Sequence, residues 1–126
     1  EKAKKEVTSN LRRSADLVVR LGDGNEESHR RMQAALDELW MYTGEMFEAD
    51  SVDEILESHG IVDSVSGLRE PWLAQVSRTL AAATLTMPSP DAWMQKGGKQ
   101  GHHSEQMGFL LAEMQFLQRA YPGLQW

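Results

Sequence analysis

One pair of residues in this sequence has the spacing of a helical metal site. Glu26 and His29 are three residues apart, so on a helix both side chains would lie on one face and could reach the same ion. Carboxylate-bridged di-iron centres in helical bundles need two such Glu-x-x-His pairs and two further glutamates. The sequence contains no second Glu-x-x-His pair. The residues three positions after Glu105 and Glu113, for example, are not histidines. We therefore expect no metal to be bound by this chain.

A second polar cluster, consisting of His102, His103 and Glu105, lies directly before the last predicted helix. Imidazole and carboxylate groups at this density could bind a metal. Residues at a helix start more often cap the helix or hydrogen-bond to the loop backbone. We interpret this cluster as structural.

The segment KGGKQG, residues 96–101, combines glycines with the only two lysines in the second half of the chain, Lys96 and Lys99. It lacks the spacing of a phosphate-binding Walker A loop, and no strand precedes it. We predict a flexible, positively charged loop that could contact an anionic partner or ligand. The sequence also does not fit a Ser-His-Asp hydrolase, since it has no nucleophile elbow and no predicted sheet to carry one.

The composition limits the function further. A net charge of −6 argues against nucleic acid, whose binding needs clustered positive charge. The absence of cysteine excludes disulfides, thiolate metal sites and a cysteine nucleophile, and it fits a reducing cytoplasm. No apolar run approaches the roughly 20 residues that span a membrane. The start EKAKKEVTSN does not resemble a signal peptide, and we expect the natural protein to begin further upstream.

Hydrophobic periodicity predicts an all-α protein in one domain, residues 1–126. Apolar residues at 3/4 spacing give four long helices, and a capping box over Ser51–Glu54 opens a short fifth one that Gly60 closes. Residues 61–67 and 88–101 are predicted loops. The four long helices cover residues 3–21, 26–47, 69–87 with Pro71 in the first turn, and about 103–121.

Each predicted helix has an apolar face that should be buried. The four tryptophans are interpreted as filling volume or interfaces rather than stacking on a cofactor. The buried positions expected in the four long helices and the tryptophans are Ala3, Val7, Leu11, Ala15, Val18 and Leu21; Met32, Ala35, Leu36, Leu39, Trp40, Thr43, Met46 and Phe47; Trp72, Leu73, Val76, Leu80 and Ala83; Met107, Leu110, Leu111, Met114, Leu117 and Tyr121; and Trp93 and Trp126.

The end of the chain contains many unusual residues in a fixed order: Lys96-Gly97-Gly98-Lys99, Gly101, His103-Ser104-Glu105, Gly108, Leu111–Gln115, Leu117-Gln118-Arg119, Pro122-Gly123 and Trp126. This pattern resembles the C-terminus of the structural subunits of phenylacetyl-CoA 1,2-epoxidases. The resemblance covers nearly the whole chain and continues through MQAALDELWMYTGEMFEAD and RLGDGNEES. The sequence departs from the family at Ser9-Asn10, where an aromatic-histidine pair is expected, and at Gln106, where a second histidine is common.

The resemblance implies a ferritin-like antiparallel helical bundle, of which this chain would be the C-terminal half. It also implies a non-catalytic subunit, which supports a homologous catalytic oxygenase subunit that carries the di-iron centre and epoxidises phenylacetyl-CoA. Lys96 and Lys99 would then be candidates for contacting the CoA moiety. With half of a bundle missing, apolar faces of the first two helices would be exposed, and a homodimer could form.

Two alternatives stay open at the level of sequence. One is a self-sufficient di-metal ferritin-like oxidoreductase, which would need about six convergent ligands. The other is a stand-alone helical interaction module with no associated activity.

Overall fold

The computed structural model describes residues 1–125, and all regular secondary structure within them is helical. The all-α prediction is confirmed. The α-helices are α1 (Lys2–Gly22), α2 (Glu26–Leu39), α3 (Ser51–Ser58), α4 (Arg69–Ala82), α5 (Glu105–Met114) and α6 (Phe116–Ala120), with 3-10 turns at Trp40–Tyr42, Gly44–Phe47, Ser66–Leu68 and Gly98–Gln100.

The chain divides into two compact units, residues 1–95 and the residues from 96 onward. In the first unit, α1 packs against both α2 and α4. A small core of Leu80, Ala83 and Leu85 lies at this junction. Six half-buried side chains of the described residues surround it, and four of them, Val18, Met32, Leu36 and Val76, belong to the predicted inward faces, whereas Val19 and Met87 were not predicted there.

Helix α2 is shorter than predicted. It ends at Leu39, and two 3-10 turns continue to Phe47 instead of further α-helix. The backbone N–H of Thr43 donates to the carbonyl of Trp40 at 3.0 Å, and the Thr43 hydroxyl donates to the same oxygen at 2.8 Å. A threonine that bonds back to the preceding turn, followed by Gly44, tightens the helix because both residue types have low helix propensity.

Helix α3 has the predicted capping box, but one residue earlier than expected. The N-cap is Asp50, whose carboxylate accepts from the backbone N–H groups of Val52 at 2.8 Å and Asp53 at 3.0 Å. Asp53 accepts in turn from the Asp50 N–H at 3.0 Å. A carboxylate is a stronger acceptor than a hydroxyl, so Asp50 takes the position predicted for Ser51. Gly60 closes the helix with a φ of 65°, as predicted.

Helix α4 also ends earlier than predicted, at Ala82 rather than Met87. The N–H of Leu85 donates to the Leu80 carbonyl at 3.0 Å, and the N–H of Thr84 donates to the Ala81 carbonyl at 3.1 Å. These two bonds form a Schellman motif, in which Thr84 occupies the left-handed position that usually holds glycine. Its φ is 58°. The apolar contact between Leu80 and Leu85 accompanies the motif.

We expect the strain at Thr84 to be measurable. A β-branched residue in the left-handed region costs about 1–2 kcal/mol, so Thr84→Gly should raise the free energy of unfolding by about 0.5–1 kcal/mol. Thr84→Val keeps the branched Cβ and loses the hydroxyl, so it should lower the free energy of unfolding by about 0.5–1 kcal/mol. Urea unfolding followed by circular dichroism checks both values. Equal stability of the two variants would contradict strain at this position.

Residues 33 and 86 connect α2 to the segment after α4. The side-chain amide of Gln33 donates to the Thr86 carbonyl at 3.1 Å, and its oxygen accepts from the Thr86 N–H at 2.8 Å. The same amide nitrogen donates to Asp37 at 2.9 Å. One side chain therefore replaces the backbone partners that Thr86 lacks after the helix ends.

The second unit contains α5 and α6, which the sequence predicts as one helix. The helix breaks at Gln115, where φ is −101° and ψ is 7°. Met107 and Leu111 are half-buried. The expected burial of Leu110, Met114, Leu117 and Tyr121 is wrong for this chain, since these four side chains are exposed, Met114 to 68%. Periodicity identifies an apolar face, but a helix pair of this size cannot bury all of it.

Much of α1 is also exposed. Its first half, including Val7 at 64% and Leu11, carries an apolar stripe that is not buried, contrary to the sequence prediction. The two central tryptophans fill volume as predicted, Trp40 buried and Trp72 half-buried, whereas Trp93 is exposed. Trp126 lies outside the described residues. Among the helices described here, none has the length and apolarity needed to cross a lipid bilayer.

Candidate functional site

An apolar groove with a volume of about 300 Å³ is the most distinctive surface of the first unit. We call it the docking groove. Helices α1, α2 and α4 all contribute side chains to it, and it adjoins the small core through Leu80 and Leu85. It is lined by Val18, Met32, Ala35, Leu36, Leu39, Trp40, Thr43, Trp72, Val76, Leu80 and Leu85.

The docking groove contains almost no polar groups. Thr43 contributes the one hydroxyl among the lining side chains, and it is already donated to the Trp40 carbonyl. Leu39 lies on the edge of the groove with 59% of its surface exposed. Exposed apolar surfaces of this kind are typical of interaction sites.

The floor of this region is built by a close approach of α1 to the end of α4. A Cβ atom added at Gly22 would lie 2.6 Å from the Ala83 carbonyl oxygen and 2.8 Å from the Ala83 Cβ. The Gly22 carbonyl accepts from His29 Nδ1 at 2.7 Å, and the Thr84 hydroxyl lies 3.4 Å from it. Glycine is needed here because a side chain has no space.

This geometry gives His29 a structural role. Because a carbonyl oxygen can only accept, His29 Nδ1 carries the proton that it donates to Gly22. The Thr84 hydroxyl oxygen lies 3.3 Å from the same nitrogen. His29, the histidine of the Glu-x-x-His pair, therefore connects the start of α2 to the end of α1. Glu26, the glutamate of that pair, lies in the first turn of α2 beside the N-cap Asn25.

The described residues do not fit a di-iron centre. Within residues 1–125, no three His, Cys, Asp or Glu side chains come together in a way that could hold a metal ion. The donor groups of His29 and Glu26 are not joined by others from α1 or α4.

The predicted charged loop is a tight double turn in the second unit. Gly97 and Gly101 flank the 3-10 turn Gly98–Gln100 and have φ values of 93° and 89°. Lys96 and Lys99 are both exposed and lie on either side of Gly98. The positive φ values explain the glycines, since other residues rarely adopt them.

The histidine cluster lies beside this turn. The backbone N–H of His102 donates to the Gly97 carbonyl at 2.9 Å, and the His102 ring packs against Gly97, where a Cβ would lie 2.8 Å from His102 Cδ2. Ser104 is the N-cap of α5, and its side chain makes no capping hydrogen bond. His102 thus contributes to the loop conformation through its backbone N–H and the packing of its ring.

The Glu27 carboxylate has a clear electrostatic perturbation. Arg30 and Arg31 donate to its carboxylate at 2.7–3.0 Å, and they hold the pKa of Glu27 below its ordinary value. Its favourable interaction is present above the ordinary glutamate pKa and is lost as pH falls through the lower folded value. The group lies on the exposed surface of α2, where ion pairs contribute little to stability.

Comparison with known proteins identifies both a family and a relative. A family profile described as "Phenylacetic acid catabolic protein" matches residues 1–126. One of the proteins that form the 1,2-phenylacetyl-CoA epoxidase of Escherichia coli (strain K12) is 44% identical over 125 residues, which are 99% of this chain and 50% of that protein. The chain therefore spans about half the length of the curated relative it matches.

The sequence anticipated the composition of the docking groove but not its exposure. Met32, Leu36 and Val76 were predicted as inward residues, and they do line it. Periodicity alone gave no sign that the groove would stay open. Arg69 was not singled out by any motif, although it lines a second cavity that is described below.

Proposed function

The chain belongs to the family described as phenylacetic acid catabolic protein, and on that premise we propose that it acts as a non-catalytic structural subunit, or part of one, of a multicomponent di-iron monooxygenase. In this proposal the assembled enzyme epoxidises phenylacetyl-CoA in aerobic phenylacetate catabolism. The observation that carries the proposal is the identity of 44%, across 99% of this chain, to a protein of the Escherichia coli epoxidase.

The role of the chain in the complex follows from its apolar surfaces. A groove of about 300 Å³ with almost no polar atoms would be covered by helices of a homologous catalytic oxygenase subunit, which would carry the di-iron centre. Burying the groove would hold both subunits in a fixed geometry. The iron would supply oxygen activation from the partner, while this chain supplies shape and excludes water from the joined surface.

Co-purification tests this role. A tagged form of the chain should retain the homologous catalytic subunit through a wash in about 0.5 M salt, because apolar contacts are not weakened by ionic screening. A chain that elutes alone, or only as a homodimer, would contradict docking and favour the stand-alone interaction module. A homodimer that exchanges for the heteromeric complex when the catalytic subunit is added would support the proposal.

We further propose that Lys96 and Lys99 contact the anionic CoA moiety in the complex. The support is local charge and turn geometry: both lysines are exposed, Lys99 lies within the 3-10 turn Gly98–Gln100, and Lys96 precedes it. Phosphate groups interact favourably with lysine ammonium groups as point charges.

Reversing both charges, Lys96→Glu with Lys99→Glu, should weaken binding of a CoA ester to the complex by roughly 10-fold or more. Isothermal titration in low salt measures this. The matched control is Arg119→Glu, which alters another cation of the second unit, bonded at 2.7 Å to Gln115. Equal affinity of the double variant and the unaltered complex would remove the proposed contact.

A further inference from the structure

A second cavity in the first unit, which we call the aromatic pocket, has a volume of about 310 Å³. It shares Trp40, Thr43 and Trp72 with the docking groove but is otherwise lined by different residues. Its aromatic wall is a cluster of three rings. The ring centres of Trp40 and Trp72 are 5.8 Å apart, and those of Phe47 and Trp72 are 5.2 Å apart. A volume near 300 Å³ lies at the lower end of the range of small-molecule sites, which is about 300–1,000 Å³.

The aromatic pocket is held open by elements that cannot easily collapse into it. The segment after α4 forms one side, with Pro88 and Pro90 restricting its backbone. The N–H of Gln95 donates to the Met41 carbonyl at 2.9 Å, which fixes this segment to the 3-10 turns. The segment after α4 and the 3-10 turns are also in close contact, since a Cβ atom added at Gly44 would lie 2.9 Å from Met94 Cγ. The cavity is therefore part of the fold.

One end of the aromatic pocket is positively charged. Arg69 lines it, and its guanidinium forms only a loose ion pair with Glu70, at 3.8 Å, and no hydrogen bond within residues 1–125. Such a guanidinium can bind a carboxylate through two parallel hydrogen bonds.

We propose that the aromatic pocket binds a small aromatic carboxylate, with its ring against Trp40, Phe47 and Trp72 and its carboxylate on Arg69. The rings favour a flat apolar group over a branched one, since offset or tilted ring stacking adds to the burial of apolar area. The arginine favours an anion over a neutral or cationic analogue. This proposal does not rest on the proposed docking role and its test does not require the catalytic subunit, although the two surfaces share Trp40, Thr43 and Trp72.

Three probes with the same ring and different charge test the proposal: phenylacetate, phenylacetamide and 2-phenylethylamine. Titration of the 126-residue chain, followed by tryptophan fluorescence and by isothermal calorimetry, should give a dissociation constant on the order of 1 mM for phenylacetate. The amide should bind roughly 10-fold more weakly and the amine more weakly still. Equal binding of the three probes, or no binding of phenylacetate at about 10 mM, would overturn the proposal.

Two variants test which groups are responsible. Arg69→Gln should weaken phenylacetate by roughly 10-fold and leave phenylacetamide unchanged, because only the charged contact is lost. Arg78→Gln is the matched control: it removes an exposed arginine of the same helix that bonds to Gln75 and does not line the pocket. An equal effect of the two substitutions on phenylacetate would contradict the role of Arg69.

Ser77→Phe tests the cavity itself. Ser77 is exposed and lines the aromatic pocket, so the larger ring should fill the space and remove binding of all three probes while far-UV circular dichroism stays unchanged. If this variant still bound phenylacetate, the ligand would bind outside the aromatic pocket, and the proposed site would be wrong.

Discussion

Replacing Gly22 by alanine is expected to lower the free energy of unfolding of the first unit by about 2–3 kcal/mol. The added Cβ would lie 2.6 Å from the Ala83 carbonyl oxygen, 2.8 Å from the Ala83 Cβ and 3.2 Å from Leu85 Cγ. Two of these atoms belong to backbone or to a Cβ and cannot rotate away. The helices must separate, and Leu80, Ala83 and Leu85 would lose part of their burial.

An opposing effect acts at the same position, but it is smaller. Alanine favours a helix over glycine by up to about 1 kcal/mol, and Gly22 is the last residue of α1. The separation of α1 from α4 would also lengthen the hydrogen bonds that the Gly22 carbonyl accepts from His29 and Thr84. The steric cost therefore exceeds the gain in propensity.

Urea unfolding measures the effect of the Gly22→Ala change, with Gly67→Ala as its control in the same unit. At Gly67 the nearest atom to an added Cβ is Ser64 Cβ at 3.9 Å, so that variant should stay within about 0.5 kcal/mol of the unaltered chain. If Gly22→Ala were as stable as Gly67→Ala, the close approach of α1 and α4 would be wrong.

The second large effect is expected at the docking groove. Leu39→Glu should weaken binding to the homologous catalytic subunit by at least about 100-fold, because an unpaired carboxylate would be buried in an apolar contact. Leu39 is 59% exposed in the chain alone, so the same change should alter the free energy of unfolding by less than about 0.5 kcal/mol. Loss of affinity without loss of stability is the signature of an interface residue.

Leu17→Glu is the matched control for this experiment. Leu17 is 55% exposed, lies on α1 and does not line the docking groove. Titration of each variant with the catalytic subunit should give unchanged affinity for Leu17→Glu. Equal weakening by both substitutions would mean that the groove is not the contact surface, and unchanged affinity for Leu39→Glu would mean the same.

The helices could be predicted from sequence because apolar spacing reports one face of a helix directly. Their ends could not, and two physical causes are visible. At Thr43 and Asp50, short-range bonds between a side chain and the backbone decide the boundary, and a shift of one residue in these bonds moves the helix start or stop. At Thr84, a Schellman motif ends α4 with a residue type that rarely adopts positive φ, and the Thr84 hydroxyl contacts the Gly22 carbonyl of α1, 62 residues away in sequence.

The candidate site could be predicted only in part. The residues of the docking groove were identified as an apolar face, yet periodicity cannot tell whether the same chain covers that face. The aromatic pocket depends on Trp40, Arg69 and Met94, which come from three separate segments, so no motif joins them. The role of Lys96 and Lys99 stays a prediction, because their exposure permits a contact with CoA but does not identify it.

The central claim is that this chain supports a catalytic partner and holds no iron of its own. The most direct test is iron analysis of the chain purified alone after expression in iron-rich medium and repeated after anaerobic incubation with ferrous iron. The account predicts far less than one iron per chain in both preparations, with iron appearing only when the catalytic subunit is present. Two tightly held irons per chain in the absence of that subunit would contradict it.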